Sequence, residues 1–235
     1  MKTYALSLLV VLATMALLLA VTAVFAQEGE QTFLPIVITE STAAASVQAD
    51  EDQLVSAADV PSPDCENGIC YVDDTAVGDN NCRSWADACT DLQVALDVVK
   101  YGEQIWVAEG IYYPDYSTPP DRDASFVLKQ GVGIYGGFDG SETQLEQRDW
   151  VTNITTLNGN GNYHVLYGGA DTDETTTVDG FVVTRGSALG SLSASFGGGM
   201  LIEDGSPSVK HVIFEDNLAR SGGGVYVEYG SPTLF

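Results

Sequence analysis

The eleven residues GGGMLIEDGSP at 197–207 return 25 positions later as GGGVYVEYGSP at 222–232, with seven of the eleven letters kept. The changes Met200 to Val225, Leu201 to Tyr226 and Ile202 to Val227 preserve a short apolar or aromatic run between glycine clusters. A unit this short cannot bury its own apolar face. Repetition on such a period therefore implies units that lean on their neighbours and share one core.

A second, weaker repeat lies upstream, where VDGFVVTRG (178–186) matches VKHVIFEDN (209–217) at an offset of 31. The six additional residues predict a loop that bulges from one unit over 187–196, in SALGSLSASF. The runs SFVLKQGVGIYGGF, TNITTLNGNGNYHVLYGG and TTTVDGFVVTRG are of strand length and are broken by Gly, Asn or Asp. Only one segment reads as a helix. Thr90 and Gln93 form a capping box, Leu92, Ala95, Leu96 and Val99 share one face, and Gly102 ends the element. The strand after it should point Ile105 and Val107 to one side and Trp106 to the other.

The first residues read as an export signal. Lys2 precedes an apolar run from Ala5 to Phe25, and Val24-Phe25-Ala26 places small residues where signal peptidase cuts, giving a signal peptide over 1–26. The run is also long enough for an uncleaved anchor, which is the competing reading. No Cys follows it directly, which argues against a lipoprotein. Residues 27–64 hold eight acidic residues and no Lys or Arg, and read as an acidic disordered linker interrupted by TFLPIVIT. The folded part is expected over 65–235.

With 9 Lys plus Arg against 33 Asp plus Glu, the formal charge of −24 repels a phosphate backbone, so nucleic acid is not an expected partner. Four cysteines, Cys65, Cys70, Cys82 and Cys89, crowd one segment of an exported chain, where disulfides are favoured over a zinc site with no His among its ligands. Three pairings are open. Cys65–Cys70 with Cys82–Cys89 closes the shortest loops and is the preferred one.

GGG followed by Gly-Ser-Pro and Phe-x-x-Asn, as in GGGMLIEDGSPSVKHVIFEDN, resembles right-handed parallel β-helix proteins of the pectate-lyase-like superfamily. The likeness is greatest to bacterial surface proteins with polymorphic outer-membrane-protein repeats. CYVDDTAVGDNNCRSWADACTDLQVALDVVKYGEQIWVAEGIYYPD is similar to the N-terminal entry of that group. The resemblance spans residues 70–235. It implies an all-β fold, a right-handed parallel β-helix solenoid with an N-terminal capping helix. Met200, Ile202, Val209, Val212, Phe214, Val225 and Val227 then face inward, Lys210, Ile213 and Glu215 face outward, the glycine triplets take the turns, and the Asn217 amide bonds backbone at a corner.

No catalytic, cofactor-binding or metal residue is assigned. Asp179 falls beside Lys210, which reads as an exposed ion pair, and His164 and His211 lack a neighbouring nucleophile motif and read as turn or strand residues. Asp73, Asp74 and Asp79 could hold calcium but are first of all turn formers, and Asn153-Ile154-Thr155 carries no assigned role. The function expected is an exported structural and adhesive surface protein that displays loops on a rod, with glycans or proteins outside the cell as ligands and no membrane span once the signal is cut. The alternative is a polysaccharide lyase or glycoside hydrolase of the same superfamily. Nothing in the sequence sets an oligomeric state. Because Phe235 aligns with Lys210 inside a strand, the chain is expected to be the N-terminal part of a longer protein.

Overall fold

β-branched and aromatic residues in runs of two to six, each closed by Gly, Asn or Asp, can form only short strands, and short strands depend on neighbours in a sheet for their stability. The computed structural model describes residues 62–235 and arranges these runs in parallel sheets. The expected signal peptide, the TFLPIVIT run and all but the end of the expected acidic linker lie outside the described residues.

The first sheet contains, side by side and in chain order, β1 (Ile69–Val72), β2 (Gln104–Ala108), β5 (Gly133–Phe138), β8 (Thr177–Asp179), β12 (Ser208–Lys210) and β16 (Thr233–Leu234). The second contains β3 (Gly110–Tyr112), β6 (Thr155–Asn158), β9 (Val182–Thr184) and β13 (Ile213–Glu215). The third contains β4 (Phe126–Val127), β7 (Leu166–Gly168), β11 (Met200–Glu203) and β15 (Val225–Glu228). From β2 onward the chain visits the three sheets in the same order on each pass. A two-stranded ladder of β10 (Ser187–Ala188) and β14 (Leu218–Ala219) lies between the second and third sheets in the last two passes.

Parallel register puts equivalent residues of successive passes above one another, so the inward side chains form columns. One column runs Cys70, Ile105, Ile134, Val178, Val209. A second runs Tyr112, Leu157, Val183, Phe214, and a third Phe126, Leu166, Met200, Val225. All are buried except the last rungs of the second and third columns. Phe214 and Val225 are only partly buried, and Val227, expected inside, is 37% exposed. Burying a strand takes a neighbour on each side, and no described strand lies beyond β13 or β15.

Both repeat offsets hold as strand register. Met200 pairs with Val225 at 25, and Val178 pairs with Val209 at 31. The change of register is confined to one place: Ala188 lies beside Ala219, whereas Phe196 bridges Ser221. Seven residues, 189–195, therefore span what Arg220 alone spans in the next pass. Gly197 and Gly222 adopt φ of 60° and 63° at the turns into β11 and β15. At Gly199 the limit is space, because a Cβ would lie 2.5 Å from the Gly224 carbonyl oxygen of the pass above. Asn217 donates its amide to the Val183 carbonyl (2.7 Å) and accepts from the Gly186 N–H (2.9 Å), the corner role expected of it.

The helix α1 (Leu92–Val98) buries Leu92, Ala95 and Leu96 against β1, β2 and β4. Its cap differs from the expected Thr90. The Asn80 side chain accepts the Thr90 N–H (2.8 Å), and Asp91, in extended conformation, accepts from the Gln93 N–H instead (2.8 Å). The helix also ends at Val98, before Gly102, whose φ of 85° serves the following turn. On β2, Ile105 and Val107 enter the core, and Trp106 joins Tyr71, Trp85 and Phe138 in an aromatic cluster on the outer face. Among the described residues no helix is long and apolar enough to cross a membrane.

The disulfides are Cys65–Cys70 and Cys82–Cys89, the preferred pairing, and no cysteine is free. The native protein should therefore take up no iodoacetamide without reductant. After full reduction, stability should fall by about 2–5 kcal/mol, measured by urea unfolding before and after thiol treatment. Labelling of any cysteine in the unreduced native chain would contradict the pairing.

Candidate functional site

Where β8 passes to β9 and β12 to β13, the chain turns through a residue with positive φ, Gly180 (86°) in one pass and His211 (48°) in the next. The 31-residue register stacks these corners, so the His211 imidazole projects beside the preceding pass. A loop supplies the third wall. The Asp149 carboxylate accepts from the N–H groups of Val151 and Thr152 and from the Thr152 hydroxyl, bonds that hold its carboxyl below the usual range. The turn so formed sets Arg148 and Trp150 against the corner.

Arg148 pairs with Asp179 (Nη2 to Oδ2, 2.8 Å) and donates through Nη1 to the carbonyls of Gly136 (3.0 Å) and Asp179 (3.3 Å). Its guanidinium lies 4.8 Å from the Trp150 ring centre and 5.4 Å from that of Tyr135. Gly180 keeps the space open, since a Cβ there would stand 2.6 Å from Arg148 Nη1. The Asp179 side chain is only 9% exposed, and its second oxygen meets His211 Nδ1 at 2.8 Å. The His211 ring in turn stacks on Trp150, centres 4.2 Å apart. Burial first, and then the Asp179 charge, push the neighbouring Tyr135 hydroxyl up.

This corrects the expected exposed pair of Asp179 with Lys210. The two are register neighbours, but Asp179 is buried under the 148–150 loop, where Arg148 and His211 reach it, while Lys210 extends over the Phe235 ring. His211 does lie at a turn. Arg148 and Trp150 were not singled out from sequence, although an arginine is scarce in a chain with nine basic residues.

Beside the cluster lies a pocket of about 330 Å³, walled by Trp150, Ile154, Phe181, Val182, Ile213 and Phe235, with His211 on its rim. An ionised carboxylate only accepts, so Nδ1 carries the proton it gives to Asp179, and in the neutral ring Nε2 keeps the lone pair. Nε2 has no hydrogen-bond partner among the described residues, and the His211 side chain is 45% exposed. The pocket wall holds no Ser, Cys, Asp or Glu, and the Thr155 hydroxyl is engaged with the Gly137 N–H and the carbonyls of Val107 and Ala108. The wall therefore offers neither a nucleophile nor a pair of carboxylates.

The remaining sequence candidates are placed elsewhere. His164 Nδ1 meets the Gly197 carbonyl (3.0 Å). Asp73 accepts from Thr75, Asp74 from the Ile111 N–H, and the Asp79 N–H donates to Asp87, so these residues hold turns. Among the described residues no group of three or more His, Cys, Asp or Glu side chains is arranged to hold a metal. Thr155 of the Asn-Ile-Thr triplet is buried, and the Asn153 amide donates to Gly137. No protein-family model, no curated protein and no solved structure matches the chain.

Proposed function

We propose that residues 65–235 form a right-handed parallel β-helix, closed at its first pass by α1, that serves as a stiff exported scaffold holding loops out for adhesion. The fixed order in which the chain visits its three sheets and the unbroken inward columns support the β-helix reading. Two disulfides close to each other suit an oxidising compartment. The display reading rests on one observation above all: the 189–195 insertion adds six residues without disturbing the strands on either side. Its tip presents Leu189 and Leu192 to solvent. A segment that costs the core nothing and exposes apolar side chains is where a scaffold carries recognition.

The test is to replace residues 189–195 with a single Gly, restoring the spacing of the following pass. Thermal unfolding should remain within about 0.5–1 kcal/mol of the parent. Retention of the purified chain on arrays of extracellular glycans and matrix proteins should be lost. A parent chain retained by none of them, or a loopless chain retained equally well, would overturn the reading. Turnover of pectin or alginate by the parent would favour the lyase or hydrolase alternative instead.

A further inference from the structure

We infer that the pocket beside His211 binds a phenol, an uncharged aromatic ring whose single hydroxyl hydrogen-bonds His211 Nε2. The site differs from the 189–195 loop, and the inference does not depend on the display reading.

Three features select this chemistry. The wall is mostly apolar, with the Trp150, Phe181 and Phe235 rings and the Val182 and Ile213 side chains, so a flat apolar ring is accommodated. Neither charge of the buried pair is free for a ligand: Arg148 is consumed by Asp179 and two carbonyls, and Asp179 by Arg148 and His211. Finally, the pocket offers His211 Nε2, an acceptor with no hydrogen-bond partner among the described residues. A pyranose brings several hydroxyls and would leave most of them unpaired in this wall, whereas a phenol brings one. The Nε2 edge is also held ready. Asp179 fixes the ring through Nδ1, Arg148 fixes Asp179, and Trp150 supports the imidazole face, so little freedom is lost on binding.

The phenol could be a free small molecule or a tyrosine side chain, and the experiment separates the two. The full chain is titrated with p-cresol, toluene, methyl glucoside and N-acetyltyrosinamide, followed by calorimetry and by the NMR shifts of the Trp indole N–H signals. p-Cresol should bind at least about tenfold tighter than toluene, the increment of one good hydrogen bond. The glucoside should show no saturation. N-acetyltyrosinamide binding as well as p-cresol identifies a tyrosine side chain as the natural occupant, and its exclusion identifies a free phenol.

His211→Phe keeps an aromatic ring on Trp150 and removes the acceptor, so p-cresol should fall to the level of toluene. Ile213, 57% exposed at the pocket lip, provides a second variant independent of the ion-pair cluster. Ile213→Trp should fill the pocket and abolish binding of both ligands. Equal affinity for p-cresol and toluene, no binding of p-cresol, or p-cresol binding untouched in Ile213→Trp would each overturn the inference.

Discussion

Asp179→Ala is expected to lower stability by about 3–5 kcal/mol, because it leaves the Arg148 guanidinium buried without its counter-ion. That side chain is only 7% exposed, held by two backbone carbonyls and overlaid by Trp150 and Tyr135, so it cannot turn to water without opening the 148–154 loop. Arg148→Met combined with Asp179→Leu should recover most of the loss, since an apolar pair of similar size removes both charges together. Urea unfolding of the parent, both single variants and the double variant provides the full cycle. A loss below about 1 kcal/mol for Asp179→Ala would mean that the pair behaves as an exposed one.

Two phenylalanines on different columns should respond differently to the same truncation. Phe126 is fully buried, with Leu166 beside it in register and α1 packed against its strand. Phe126→Ala should cost about 3–5 kcal/mol through lost transfer energy and the cavity left behind. Phe214 has Val183 on one side and no described strand on the other, and it remains partly exposed. Phe214→Ala should cost less than half as much, because truncating a side chain that already meets water loses less burial and leaves an open notch. Chemical denaturation of the two variants under identical conditions decides the matter. Equal losses would show that Phe214 is as enclosed as Phe126.

Much of this architecture was legible in the sequence because stacking imposes periodicity. Offsets of 25 and 31 are strand registers, and the six-residue difference between them is the 189–195 insertion. The glycine turns at 197 and 222, the Asn217 corner, the buried face of α1 and both disulfides depend on local chain geometry or on one neighbouring pass, and such information survives in spacing and residue type. Tertiary structure alone decided the chemistry of Asp179. Register made it a neighbour of Lys210, but the 148–150 loop, some 30 positions earlier and held by the Asp149 turn, covers it and brings Arg148, while the corner conformation of His211 brings the imidazole. Nothing periodic relates Arg148 to Asp179 or Trp150 to His211. Their meeting comes from how a loop of irregular length folds back over the stack, and that depends on packing rather than on spacing. The same holds for the incomplete burial of Phe214, Val225 and Val227, whose sequence pattern is that of interior positions and whose exposure is set by what lies beside them in space.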